Sequence, residues 1–178
     1  MNIYQEQLRV PLFLYTPGGE LGPARRGDLV QHIDVLPTFI EWFGAKPKSN
    51  GLTLQGETLL PILDGRKTAL DERLLFAMRR MRVEKNHSED WEADPVYCVL
   101  DGKHKYISHP ERPCEFFDLV ADPYEQKNLI DSGDAKIATM KKSAEEWYAR
   151  LMKEAPKAPA GLSDANREAL ESLGYLPK

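Results

Sequence analysis

An α/β layer followed by a small α+β subdomain is the fold class this sequence predicts, and three observations carry the prediction. Residues 9–16 (Arg-Val-Pro-Leu-Phe-Leu-Tyr-Thr) form a near-continuous apolar run closed by Pro17-Gly18-Gly19. Such a run suits a strand buried on both faces of a parallel sheet. From Leu74 onward the apolar period changes to two, as in an antiparallel sheet. From Ile137 onward it becomes 3-4-3-4, a single stripe along a long helix. No other stretch resembles residues 9–16. The parallel neighbours of that strand are therefore expected outside these 178 residues.

Taken in order, residues 1–7 read as a polar lead into the strand. Pro11 lacks a backbone donor and belongs near a strand start. Residues 17–28, with four glycines, two prolines and the basic pair Arg25-Arg26, read as a loop. A helix is expected from Asp34 to Phe43, with Leu36, Phe39, Ile40 and Phe43 on one face. Asp34 is its cap, Pro37 falls in the first turn, and Gly44 is the terminating residue. Residues 51–65 repeat this more briefly: Leu59, Leu60, Ile62 and Leu63 form a short helix, with Pro61 near its start and Gly65 at its end.

Leu74–Met78 opens a strand that extends toward Val83, and residues 84–95 read as a polar connection holding His87 and Trp91. Val96–Leu100 and His104–Ser108 flank Asp101-Gly102, a hairpin signal because glycine accepts positive φ. Glu115–Leu119 is a further strand. The result is a meander of three or four antiparallel strands. Asp134 caps the long helix, which runs to about Glu154 and carries Ile137, Met140, Ala144, Trp147 and Leu151 on one stripe. A Pro/Ala-rich linker then precedes a last helix that starts at Ser163-Asp164.

The net charge of −4 gives no electrostatic case for nucleic acid or an anionic membrane. No apolar run approaches membrane-spanning length, and no basic-then-apolar leader is present, so any export signal would lie upstream of Met1. Cys98 and Cys114 are too few for a disulfide scaffold. On the first and third strands of a meander they would sit about 9–10 Å apart, beyond the roughly 7 Å a disulfide tolerates. Asp118, Asp122, Glu125 and Asn128 lack the spacing of a calcium loop. His104, His109, Cys98 and Cys114 match no usual zinc spacing.

Several phrases occur in the order of one known family. They are Tyr4…Leu8-Arg9-Val10-Pro11-Leu12, His32-Ile33-Asp34-Val35-Leu36-Pro37-Thr38 leading to Gly44, and Gly56-Glu57-Thr58-Leu59-Leu60-Pro61-Ile62-Leu63-Asp64-Gly65. Lys105-Tyr106-Ile107 follows, then Phe116-Phe117-Asp118-Leu119 continuing to Asp122-Pro123-Tyr124-Glu125 and Asn128-Leu129, and finally Leu170-Glu171-Ser172-Leu173-Gly174-Tyr175-Leu176. In this the chain resembles the C-terminal portion of a sulfatase of the alkaline-phosphatase-like superfamily.

The resemblance implies a fold in which residues 1–66 are the last piece of the α/β catalytic domain. Residues 70–155 would then be the α+β subdomain, a three- or four-stranded antiparallel sheet packed by the long helix, and 156–178 a helical tail. It implies an intact enzyme that hydrolyses sulfate esters, of a small molecule or a carbohydrate, with a formylglycine and a calcium ion. Formylglycine arises in a C/S-x-P/A-x-R motif, and neither Cys98 nor Cys114 has that context. The chain alone is expected to hold no catalytic residue and no metal and to be inactive, its structural partner being the N-terminal catalytic half. The densest cationic stretch, Arg79 to His87, nominates Arg79 and His87 as substrate contacts; its alternative is a solvated strand edge. Two other functions stay open: hydrolysis of phosphonate or phosphate esters by the same superfamily, and a non-catalytic binding module.

Overall fold

The computed structural model describes residues 3–46, 54–85 and 88–154, with side chains between 80 and 94 left out of the description. The chain forms two compact units, residues 1–145 and 146–178. The expected tail helix lies outside the described residues.

Four strands make one antiparallel sheet in sequence order: β1 (Leu75–Lys85), β2 (Ser88–Leu100), β3 (His104–Ser108) and β4 (Glu115–Asp118). Residues 88–95, read above as a connection, belong to β2 and pair with β1 instead. Two irregularities reconcile strand with sequence. Arg79 faces Val96 whereas Met81 faces Ala93, so Asp94 and Pro95 together oppose Arg80 in a bulge. A proline without a donor is tolerated in such a place. The Asp101-Gly102 turn is present as expected, with Gly102 at φ 88°. The Asp101 carboxylate accepts the Lys103 and His104 N–H groups at 2.8 and 2.6 Å.

Pleat alternation gives the sheet two buried faces. On one, Val99, Tyr106 and Phe116 pack against Met140 and Ala144 of α4 (Ala135–Glu154), with Ile137 beside them. Asp134 caps α4 through the Lys136 N–H at 2.8 Å. On the other, Cys98, Ile107 and Phe117 surround Ile3, which is buried. This corrects the reading of residues 1–7 as a polar lead: Gln5–Leu8 is a helical turn (α1), and Ile3 and Tyr4 anchor it to the sheet. The Tyr4 ring meets Phe117 edge-on at 6.0 Å.

The short helices form as expected, with one difference at their caps. A 3-10 turn at His32–Asp34 leads into α2 (Val35–Trp42), and α3 spans Leu60–Leu63. Gly44, at φ 58°, closes α2 by the paired bonds Gly44 N–H to Glu41 C=O and Ala45 N–H to Ile40 C=O. Asp34, expected to cap α2, makes no side-chain cap there. Its carboxylate turns back to the Gln31 N–H and across to the Glu57 N–H. The approach is close: a Cβ added at Gly56 would lie 2.0 Å from the Ile33 carbonyl oxygen. Gly56→Ala is therefore expected to destabilise the chain by about 1–3 kcal/mol, read as a lowered midpoint in urea unfolding. An unchanged midpoint would show that the 54–57 loop is free to move.

Residues 9–16 are not a strand. No backbone hydrogen bond among the described residues involves 11–15. Leu12 and Leu14 line a small crevice with Val35, Thr38, Phe39 and Leu59, while Phe13 and Tyr15 stand 86% and 85% exposed. The side chains thus alternate as a strand's would. The ladder is missing because no described strand lies beside them.

Candidate functional site

Charged groups inside the first unit tie distant segments together in four clusters. Asp34 is fully buried and receives Arg73 Nη1 at 3.0 Å and Nη2 at 2.5 Å, besides the two N–H groups already named. Burial pushes its carboxyl up, but the Arg73 hydrogen bonds and the Glu57 and Gln31 amides outweigh that and hold it below the usual carboxylate range.

Lys105 on β3 and Glu125 in the turn after β4 form a second cluster, Nζ to Oε1 2.7 Å, both side chains buried. The other Glu125 oxygen accepts the Gln5 N–H at 2.5 Å, and Lys105 Nζ lies 6.0 Å above the Tyr4 ring. Glu125 itself takes φ 54°, which side chains other than glycine seldom adopt.

In the third, Tyr4 donates its hydroxyl to Glu115 Oε1 at 2.7 Å while His109 Nε2 meets Glu115 Oε2 at 2.7 Å. Arg112 Nε donates to His109 Nδ1 at 3.1 Å, and Arg112 Nη2 lies 3.1 Å from His109 Nε2. Burial, then the Glu115 carboxylate, raise the Tyr4 phenol above its ordinary value. It stays a donor and is no nucleophile at neutral pH. Asp101, with His104 and with Lys136 Nζ at 3.0 Å, makes the fourth, pinning the start of α4 to the β2–β3 turn. Leu74, Thr139 and Ser143 line a shallow groove there, whose two charges, Asp101 and Lys136, already pair with each other.

The residues nominated from sequence are placed unevenly. Arg79 sits on β1 opposite Val96, on the sheet face shared with Leu75 and Ala77. It is partly buried, and its Nη1 is enclosed with no hydrogen-bond partner among the described residues. His87 lies outside the described residues. Arg26 of the loop pair binds Asp28 at 2.9 Å and the Thr68 carbonyl, so it clamps the loop.

The acidic phrase after β4 does not fit a calcium ion. Asp118 Oδ1 accepts the Val120 and Ala121 amides, Asp122 the Lys127 amide, and Asn128 the Phe116 and Ile130 amides, while Glu125 is held by Lys105. These oxygens build the turn. The zinc alternative is likewise not assembled: His104 stacks on Phe116, His109 binds Glu115, and Cys98 and Cys114 are free thiols. Burial pushes the Cys98 thiol up to about 11, which leaves it unreactive.

One signal was missed. Ser108-His109-Pro110-Glu111-Arg112 has the serine form of the S-x-P-x-R spacing. In the fold it ends β3 and turns the chain toward β4, with His109 and Arg112 engaged by Glu115. No group of three metal-ligating side chains occurs among the described residues. The segment serves as a turn. Nucleophile, base and cationic clamp are not brought together here.

Comparison with known proteins agrees with the architecture. Residues 1–153 match the family model described as N-sulphoglucosamine sulphohydrolase, C-terminal. The chain is 28% identical over 183 aligned residues to a choline-sulfatase of Rhizobium meliloti, covering 99% of this chain and 33% of that one. It is 32% identical over 144 residues to the multifunctional alkaline phosphatase superfamily protein PehA of Trinickia caryophylli, covering 76% and 27%. The solved structure of Ps i-CgsB shares the fold with a TM-score of 0.53 at 18% identity, over 85% of this chain and 30% of that one. A 2-O GAG sulfatase does so with a TM-score of 0.51 at 22% identity, over 76% and 31%. The chain spans about a third of the length of the relatives it matches.

Proposed function

Because the chain belongs to the family of C-terminal N-sulphoglucosamine sulphohydrolase domains, we propose that it serves as the C-terminal part of an enzyme that hydrolyses sulfate esters. The observation that carries this reading is the family match over residues 1–153, supported by a sheet-and-helix architecture of sulfatase type. Formylglycine and calcium, which would supply the nucleophile and the electrophilic clamp, are assigned to sequence beyond these 178 residues. The residues here hold the scaffold: Asp34, Asp101, Glu115, Asp118, Asp122 and Glu125 are committed to turns and ion pairs. Residues 1–66 are assigned to the catalytic domain and 70–155 to the subdomain that borders its pocket.

The substrate class is a sulfated small molecule or carbohydrate. Relatives named for choline sulfate, ulvan and steryl sulfate support a sulfate ester without choosing among them. Arg79 is assigned to substrate contact from its charge and its place at the head of the cationic stretch Arg79 to His87. His87 is assigned with it from its place in the same cationic stretch.

Sulfate release from p-nitrophenyl sulfate tests the reading. The purified chain alone is expected to give only background, and the assembly that includes the remaining sulfatase sequence to turn over. Substantial turnover by the chain alone would overturn the assignment of the nucleophile elsewhere. In the active assembly, Arg79→Ala or His87→Ala is expected to raise KM about fivefold with kcat little changed, the pattern of lost ground-state binding. An unaltered KM would remove both residues from the substrate site.

A second reading has one observation in its favour. The relative with 32% identity is named as a multifunctional member of the alkaline phosphatase superfamily. A phenylphosphonate ester hydrolysed faster than p-nitrophenyl sulfate would favour phosphoryl chemistry.

A further inference from the structure

Residues 3–5 are held to the sheet by more than apolar contact. Ile3 fills a core with Val96, Cys98 and Ile107, a contact that by itself would let α1 pivot. Two carboxylates from more than 100 residues later remove that freedom. Glu115 Oε1 accepts the Tyr4 hydroxyl at 2.7 Å, and Glu125 Oε2 accepts the Gln5 N–H at 2.5 Å. Hydrogen bonds fix direction where apolar packing does not. The second of these bonds is held at a cost. Glu125 takes φ 54° and shares its carboxylate with Lys105, both side chains buried. A buried ion pair stabilises a fold no better than apolar residues of similar volume, and its best-attested use is to impose one arrangement among several. A residue other than glycine persists in the left-handed region only where its surroundings demand it.

The sheet face that receives residues 3–5 also carries Arg79. Arg79 stands opposite Val96, and Val96 belongs to the core that encloses Ile3. We propose that Glu115 and Glu125 are positioning residues for sulfate-ester hydrolysis. Acting through Tyr4 and Gln5, they fix the start of the 1–66 piece in one placement against the sheet. They thereby set the reach of Arg79 toward a substrate held by the catalytic domain. Neither carboxylate touches that substrate. The proposal rests on the sulfatase reading above and on the contact assigned there to Arg79.

Tyr4→Phe tests this, since it removes the hydroxyl and keeps the ring that lies edge-on to Phe117. In the active assembly it is expected to raise KM for p-nitrophenyl sulfate about threefold with kcat little changed, a part of the effect of Arg79→Ala. In the Arg79→Ala background the same change is expected to add nothing, because the group it places is gone. A bond that only holds the fold would lower the urea midpoint and leave KM alone. In the chain by itself, nitroxides on Glu6→p-acetylphenylalanine and Asp131→p-acetylphenylalanine, both exposed positions, report the placement of α1. One narrow distance distribution is expected with Tyr4 and a broader one with Tyr4→Phe, slow amide exchange at Val99 and Ile107 showing that both are folded. A KM unmoved by Tyr4→Phe or by Arg79→Ala, effects of the two that multiply in full, or a distribution equally narrow in both would each overturn the proposal. The outcomes also separate it from the functional reading. An assembly without sulfatase activity sinks that reading, and the label distribution still decides whether the hydroxyl sets the placement. An active assembly in which the KM effects multiply sinks only the positioning role.

Discussion

Asp34→Ala is expected to destabilise the first unit by about 3–5 kcal/mol, the cost of breaking a buried ion pair from one side. The carboxylate is fully buried and joins three segments: the Gln31 N–H before α2, the Glu57 N–H at the loop into α3, and the Arg73 guanidinium ahead of β1. Removing it leaves a guanidinium and two amides without their acceptor. A net domain stability of about 5–15 kcal/mol would lose a large share. Asp34→Asn keeps the shape but loses the charge, and an effect of about 1.5–3 kcal/mol is expected. Its pH dependence follows from the depressed carboxyl. Above the unfolded value, about 3.9, the contribution is fully present. As pH falls from there through the lower folded value, it is lost. Wild type should therefore destabilise on acidification below about pH 4 more steeply than Asp34→Asn, measured by urea unfolding at stepped pH. Parallel curves would show that Asp34 titrates no differently folded than unfolded.

Glu125→Gln carries the second large effect. Lys105 is buried to 0% side-chain exposure and Glu125 to 1%, so the neutral amide leaves an ammonium in the core. The expected loss is about 3–5 kcal/mol. Lys105→Met combined with Glu125→Gln should cost less than the two single losses added, with a coupling of about 2 kcal/mol. Strict additivity would mean the pair contributes nothing specific. Glu125→Gly separates the pair from its backbone. Glycine relieves the left-handed conformation, a gain of about 1 kcal/mol, yet it also removes the acceptor for the Gln5 N–H. Net destabilisation is expected, with exchange at the Gln5 amide accelerated first.

Local chemistry was readable in the sequence where one or two residues decide the backbone. Gly44 and Gly65 at positive φ, Asp134 at the start of α4 and Asp101-Gly102 at the hairpin are such places. The meander order and the α4 stripe followed from periodicity. What sequence did not show is long-range. Ile3 and Tyr4 sit among polar residues, and only the sheet 100 residues later gives them a core to join. Asp34 has the look of a helix cap, but Arg73 and the Glu57 amide draw its carboxylate elsewhere. Residues 88–95 lack clean alternation because β2 is bulged at Pro95. As for the site, the phrase from Asp118 to Asn128 was legible as a turn. Arg79 could be nominated from charge alone, but its enclosed nitrogen is visible only in the fold.

Residues 9–16 connect these findings, as an apolar stretch with strand-like alternation and no ladder. Amide hydrogen exchange across Leu12–Tyr15 tests the account most directly, with Val99 and Ile107 in the sheet as internal references for folding. In the chain by itself these four amides should exchange at nearly unprotected rates while the references are slow. In the sulfatase-active assembly they should become as slow as the references. Strong protection of Leu12–Tyr15 in a monomer of the chain alone would contradict the account.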